Sequence, residues 1–476
     1  MNLQVVNLQG KLSWEQWAAF NVSRGCDPEE LRRILRDNGF DHACAVAMAG
    51  GAEDTNAMPE LRPATRPASA EAADREGSTD ETCVDAEPAV SVFLPGATRL
   101  DSDRAELYGI DGFLSPTECV RLIGLIGQSS RPSTTTDEGV SDFRTSRTCE
   151  LAALDDPFVA EIDSRICRFM GIDPENSEPI EGQWYDEGQQ FKPHTDYFEP
   201  DSPAYDEHVG EQGQRSWTFM IYLNTTAGGG ETHFPELGAT FVPHAGTALI
   251  WNNRDAEGRL NGDTLHHGMP VTNGFKAVIT KWFRSVGPTP TYTKEANEYL
   301  PPLTDRGFMR GSMPPALHAT LLDFYRKHRP ESTDESIPDF IHNRTGATPS
   351  VLIELTEELR KKVHETLQPI VEAWIGDYLE PTYVYGIREY RRGAVLKSHR
   401  DRLGTHVASA ILNIDQTVDS DWALHIEDHQ YRRSEQLLEP GRMILYEGAR
   451  LAHGRPTPLD GDRYANVFVH FKRRGD

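Results

Sequence analysis

A chain of 476 residues exceeds what one hydrophobic core ordinarily organises, so two or three domains are expected. Its 48 Lys and Arg against 74 Asp and Glu leave a net charge of −26, which disfavours nucleic acid or an anionic membrane as partner and suits a neutral or basic one. No apolar run reaches the roughly 18 residues a membrane span needs, the opening MNLQVVNLQGKLSWEQW lacks the basic-then-apolar pattern of a leader, and the six cysteines (Cys26, Cys44, Cys83, Cys119, Cys149, Cys167) show no two-residue metal or redox spacing, all of which points to a cytoplasmic protein.

Residues 12–40 follow a helical pattern in which Asp27, Pro28, Glu29 and Glu30 cap and start a helix ahead of Leu31, Ile34 and Leu35, and Gly39 stops it. A small helical appendage over 1–50 is expected. Residues 51–89 are rich in Ala, Glu, Asp, Thr and Pro with few large apolar side chains, a composition that cannot offset the entropy of ordering and reads as a disordered linker. Beyond it come helical patterns near 116–127 and 157–170, then short β-like runs at 217–224, 239–242, 248–251 and 277–283, separated by turn clusters such as 227–230. Many short strands with turn signals predict a sandwich or closed barrel with flanking helices. From 291 to 476 the order recurs, with helices at 314–328 and 351–379 and strands from Thr382 onward.

At an offset of 205 residues, Tyr185 to Asp196 lies over Tyr390 to Asp401 without a gap, so that Tyr, Gly, Lys, His and Asp coincide. Gly246, Trp251 and His266 similarly parallel Gly441, Tyr446 and His453. Two copies of one domain, 90–290 and 291–476, are inferred.

An iron that must take up O2 and a bidentate organic acid needs few protein ligands, and two imidazoles with one carboxylate on one face leave its other positions open. His194 and Asp196 are two apart, which on a strand points both side chains to the same side. With 17 histidines in an acid-rich chain, one such pair arises by chance, so context must carry the weight. His266 follows a strand-turn-strand stretch, and Lys276, ten residues later, opens an apolar run where it can pair a remote carboxylate. A packing role for Tyr185 and Tyr222, and a fold-holding ion pair for Arg144, stay open beside functional ones.

The segments YDEGQQFKPHTD, TFMIYLN, GGGETHFPELG and HHGMPVTNGFKAVITKWFR, with Phe113-Leu114-Ser115, Glu118-Cys119 and Arg144-Thr145-Ser146, resemble the prolyl 4-hydroxylase family over roughly 107–284. The resemblance implies Fe(II) held by His194, Asp196 and His266, with His267 the rival for the third role, and 2-oxoglutarate held by Lys276 with help from Tyr222 and Tyr185. It further implies O2 as co-substrate, ascorbate as accessory reductant, two double-stranded β-helix (jelly-roll or cupin-like) domains in tandem, and a peptide or protein substrate hydroxylated at a prolyl residue with release of succinate and CO2. Hydroxylation of a free amino acid or small molecule, a cupin-like metal-binding interaction protein and a zinc hydrolase are the alternatives.

The second copy supplies His399, Asp401 and His453, with Arg463 again ten residues past the last histidine and able to grip a carboxylate in two places. There Ile411 is expected where Tyr222 stands. An active second oxygenase, an idle iron site and a packing domain are three readings of this half. Its other histidines (406, 425, 429, 470) are expected on the surface or in the core, and polar stretches 131–142 and 199–215 are expected as lids over the first site.

Overall fold

The structure is a computed structural model that describes residues 61–63, 92–133, 143–200, 202, 205, 208–285, 294–343 and 345–475. The expected appendage over 1–50 lies outside the described residues, as does the expected linker apart from the backbone of Leu61–Pro63, a short strand paired antiparallel with Thr98–Leu100. The chain divides into two compact units, Met1–Lys294 and Glu295–Asp476. Both are mainly β with a few helices.

In the first unit, helix α1 (Pro116–Ser129) begins where the sequence provides a complete capping box: Ser115 accepts from the Glu118 backbone N–H and the Glu118 side chain accepts from the Ser115 backbone. Pro116 at the first position costs nothing there, and Cys119, Leu122 and Ile126 form the buried stripe. Helix α2 (Pro157–Met170) starts on Asp156, whose side chain accepts from the Phe158 backbone N–H, and ends on Gly171, whose φ of 70° suits a residue without Cβ. Seven strands position the site: β1 (Glu181–Tyr185), β2 (Phe191–His194), β3 (Arg215–Tyr222), β4 (Thr232–Phe234), β5 (Ala248–Asn252), β6 (His266–Gly268) and β7 (Lys276–Arg284). The larger sheet runs β5-β3-β7-β1 at its centre, and a smaller one runs β4-β6-β2 with Ala239–Phe241 at its edge. Tyr185, Met220, Tyr222, Trp251 and Val278 from the large sheet pack with Phe234, Ala239 and Phe241 from the small one, so the two sheets face each other across one core. Gly229, with φ of 71°, lets the 227–230 turn run against the strand at 271–273, where a Cβ would lie 2.3 Å from the Pro270 carbonyl oxygen.

In the second unit, helices α3 (Pro315–His328) and α4 (Glu357–Ile375) pack on a large sheet through Leu317, Leu321, Tyr325, Val363, Leu367 and Val371. The helix expected over 351–379 is shorter than the sequence suggested: Ser350–Ile353 is a strand paired with the next long one, its Val and Ile being better strand than helix residues, and Thr356 caps the true start. The strands here are β8 (Leu379–Arg391), β9 (Ala394–His399), β10 (Ala408–Val418), β11 (Leu424–Glu427), β12 (Arg442–Tyr446), β13 (His453–Arg455) and β14 (Gly461–Arg473). They order as β12-β10-β14-β8 in one sheet and β11-β13-β9 in the other. Tyr390, Ile411, Trp422, Leu424, Tyr446, Tyr464 and Phe468 fill the space between them.

Candidate metal centre

His194 ends β2 and His266 begins β6, and the two are direct antiparallel partners, so backbone pairing alone brings their rings to 4.3 Å between centroids. His194 Nε2 lies 3.9 Å from Asp196 Oδ1, and one ligand atom from each of His194, Asp196 and His266 falls within 4.8 Å of the others. Each imidazole is aimed by its own backbone. His194 Nδ1–H donates to the Lys192 carbonyl at 2.8 Å and His266 Nδ1–H to that of Thr264 at 3.0 Å, which leaves both Nε2 lone pairs directed at the common point. Burial, with His266 as a neighbour, lowers the His194 pKa to about 3, so its ring is neutral as ligation requires. Asp196 is buried, which alone would raise its pKa, yet His266, His194, Arg215 and the Thr218 hydroxyl bring it below the ordinary carboxylate range. Thr218 donates to Asp196 Oδ2 at 2.7 Å and accepts from Asn253 Nδ2 at 3.0 Å, a relay that fixes the carboxylate's rotation. His267 points elsewhere and bonds Gln190, as alternation along β6 demands.

The cavity beside these ligands is lined by Gln183, Tyr185, Phe191, Thr232, Gly268, Lys276, Val278 and Thr280. Lys276 is 3% exposed and makes no hydrogen bond or ion pair with a described residue. Its ammonium sits 5.5 Å from the Tyr185 ring centre and 5.4 Å from that of Tyr222, within cation–π range of both. Burial drives its pKa down to about 7, opposed by Glu231. A buried cation that no carboxylate pairs directly is suited to receive an anion. The donor set of two imidazoles and a carboxylate fits Fe(II), and the lysine fits the far carboxylate of a dicarboxylic acid.

Tyr185 and Tyr222 both reach this core, in different ways. Tyr185 lines the cavity and its hydroxyl donates to Gln183 Oε1 at 2.8 Å, whereas the Tyr222 hydroxyl donates to Thr232 Oγ1 at 2.7 Å behind the cavity wall. Arg144 bonds Glu181, Ser146 and Thr148, the fold-holding arrangement weighed above. Sequence reading missed Thr218, Thr232, Thr280 and Gln183. The inward alternation of Lys276, Val278 and Thr280 along β7 was the available signal for one of them. Of the two expected lids, 134–142 lies outside the described residues, while the end of the second is pinned where Gln214 brackets the backbone of Phe198.

In the second unit His399 and His453 are again direct partners, and the same device aims them: Nδ1 of each meets the carbonyl two residues earlier, at 2.8 Å to Lys397 and 2.9 Å to Leu451. Their Nε2 atoms lie 3.6 and 3.7 Å from Asp401 Oδ1. Burial lowers both pKa values to about 4. Asp401 differs from Asp196 in that burial outweighs its neighbours and raises its pKa, with Tyr446 donating to Oδ2 at 3.0 Å. Of the extra histidines, His406, His429 and His470 are buried, and the rings of His406 and His470 lie 3.7 Å apart beside Asp401.

Two expectations for this unit need correction. Arg463 does not face the triad: it shares the side of Ala465 and Val467, which pack against α3 and α4, and it bonds Asp415 at 3.2 Å. Lys276 lies opposite Tyr185, and the residue opposite Tyr390 is Tyr464. The connection from His453 to that position is eleven residues, one longer than from His266 to Lys276, and a one-residue change on a strand turns the side chain to the other face. Nor does Ile411 stand where Tyr222 does. Ser409 faces Tyr446 as Thr218 faces Trp251, which puts Asn413 at the Tyr222 position.

Residues 181–284 match the family model described as the 2OG-Fe(II) oxygenase superfamily. This stretch of the chain is similar to that superfamily. Within it, the likeness to prolyl 4-hydroxylases expected from the motifs is borne out: the chain is 35% identical over 147 residues to prolyl 4-hydroxylase subunit alpha-1 of Rattus norvegicus, covering 31% of this chain and 27% of that one. It is 28% identical over 227 residues to prolyl 4-hydroxylase 2 of Arabidopsis thaliana, covering 42% and 74%. Among solved structures, a viral collagen prolyl hydroxylase from Paramecium Bursaria Chlorella virus-1, in complex with 2OG, is similar at 28% identity and a TM-score of 0.29, over 38% of this chain and 96% of that one. The chain spans about a quarter of the length of the alpha subunits it matches. No helix among the described residues is long and apolar enough to cross a membrane.

Proposed function

We propose that the first unit is an Fe(II)- and 2-oxoglutarate-dependent hydroxylase acting on a prolyl residue of a peptide or protein. The observation that carries this is a single one: two backbone-aimed imidazoles and a carboxylate converge on a point in a cavity whose other wall bears a buried, unpaired lysine. When bound, iron and 2-oxoglutarate supply the oxidising power, O2 being reduced as the acid loses CO2 and becomes succinate while one C–H bond becomes C–OH.

The chain's own residues do the rest. His194, Asp196 and His266 would hold the metal, an open donor set that suits Fe(II) chemistry. Thr218 and the Lys192 and Thr264 carbonyls keep those ligands from turning. Lys276 pairs the remote carboxylate and so sets the direction in which the acid lies. Phe191, stacked on His194 at 3.5 Å between ring centres, keeps water from that flank.

The reading extends to the whole chain as an appendage over 1–50, a linker over 51–89, and two double-stranded β-helix domains over 90–290 and 291–476. Matching strand orders and the shared histidine-aiming device support the duplication. A cytoplasmic location is supported by Cys119, Cys149 and Cys167 being free buried thiols. The acidic net charge favours a neutral or basic peptide as partner. The test is succinate formation from 2-oxoglutarate with Fe(II), ascorbate and a library of proline-containing peptides, read alongside mass spectrometry of the peptides. Peptide products gaining one oxygen at proline are expected, and an oxygen gained only by free amino acids would move the substrate class.

A further inference from the structure

Six Lys or Arg side chains are buried among the described residues: Arg165, Lys276, Lys281, Arg284, Arg450 and Arg455. Arg165, Lys281 and Arg284 each meet a carboxylate, from Glu118, Asp163 and Glu178. Arg450 is tied to His429 and to the backbone carbonyls of Glu298 and Leu300. That leaves one buried cation per unit with neither a carboxylate nor such a cage, Lys276 in the first and Arg455 in the second.

Arg455 is 1% exposed. It donates to the Trp422 carbonyl and, at 3.2 Å, to the Tyr464 hydroxyl, which occupies only two of its five N–H groups. Its guanidinium lies 4.7 Å from the Trp422 ring centre and 4.4 Å from that of Tyr464. This is the aromatic cradle that Tyr185 and Tyr222 give Lys276. Its place in the sheet is just as specific. Arg455 is two residues beyond His453 on β13, hence on the same face, and it pairs with Leu396 as Gly268 pairs with Phe191. A position that bears no side chain in the first unit, Gly268, therefore carries the cation in the second.

We propose that the buried guanidinium of Arg455 is the anion anchor of a second metal site, binding the remote carboxylate of a small 2-oxo dicarboxylic acid that chelates a metal held by His399, Asp401 and His453. The inference rests on the second unit being a metal-binding copy of the first. The anchor has changed sheets: in the first unit it comes from β7 in the large sheet, in the second from the histidine's own strand in the small one. A carboxylate brought to Arg455 meets the two-point fork that an arginine offers, and its charge relieves the cost of burying an unpaired cation. Leu424 and Phe468 stand where the first cavity has Thr232 and Thr280, so bulkier apolar side chains flank the second site.

The test uses the full chain with His194→Ala and Asp196→Ala, so that one metal site remains, and titrates it without oxygen, first with Co(II) and then with 2-oxoglutarate, following the Co(II) absorption and the heat of binding. One Co(II) equivalent, lost on adding His399→Ala, is expected, and 2-oxoglutarate should then perturb its spectrum. Arg455→Met should weaken 2-oxoglutarate on the order of 10- to 100-fold with Co(II) affinity unchanged. Arg463→Met should change neither. Pyruvate, which chelates but has no remote carboxylate, should bind weakly and equally to both proteins. Arg455→Lys keeps the charge without the fork and should fall between, and it carries the test if Arg455→Met does not fold. Undiminished 2-oxoglutarate binding in the Arg455 variants, or its loss in Arg463→Met, overturns the assignment. Failure to bind Co(II) in the starting variant removes the metal reading of the second unit itself, and the anchor with it.

Discussion

The two units solve one half of the problem identically and the other half differently. In both, a pair of cross-strand histidines is oriented by the carbonyl two residues back, and an aspartate two residues past the first histidine closes the group. What surrounds the aspartate differs: Asp196 leans on Thr218 and lies near Arg215, whereas Ser409, at the Thr218 position, bonds His470 instead, and Asp401 is left with Tyr446. The buried cation differs too, Lys276 from one sheet and Arg455 from the other. In both units backbone pairing fixes how the three groups converge, while single side chains set what surrounds them.

The largest effect that would break the comparison is loss of a first-unit ligand. His194→Ala or Asp196→Ala should reduce 2-oxoglutarate turnover to background while His399→Ala does not, as read by succinate formation; equal losses from both units would mean that the sites do not act separately. Next, Lys276→Met should raise the 2-oxoglutarate concentration for half-maximal turnover roughly 10- to 100-fold, with a smaller change at saturation. Thr218→Val frees the aspartate's rotation and should weaken metal binding by about 10-fold or more in a competition with a chelator.

A smaller effect concerns pH. Lys276 has a pKa of about 7 when its pocket is empty, and a paired carboxylate raises it. Binding therefore takes up a proton above pH 7, so 2-oxoglutarate affinity should be level below that value and weaken by up to about 10-fold per pH unit above it. Calorimetry in buffers of different ionisation enthalpy would detect the proton, and a pH-independent affinity from 7 to 9 would count against the lysine. The smallest is Arg463→Ala, which removes a part-exposed ion pair and should cost only about 0 to 1 kcal/mol of stability in denaturant unfolding.

How far the sequence could be read follows from what each feature depends on. His194, Asp196, His266 and Lys276 were legible because alternation on a strand and a fixed step to the next strand decide their facing. Trp251 and Tyr446, and the paired tyrosines Tyr185 and Tyr390, were legible for the same reason. Arg463 was misread because one added residue in a connecting turn reverses facing, and spacing alone does not reveal where the turn absorbs it. Arg455 was invisible since its counterpart is a glycine, so no matched residue drew attention to it. Thr218 and Thr232 act through partners distant in sequence, which only the folded chain brings within hydrogen-bond range.

The most direct test of the central claim supplies the full chain with Fe(II), 2-oxoglutarate, isotopically labelled O2 and a proline-containing peptide, and follows the label by mass spectrometry. One labelled oxygen in the peptide's prolyl residue and one in succinate, both absent with His266→Ala, is the predicted result. Succinate without label, or full activity with Zn(II) in place of Fe(II), would contradict it.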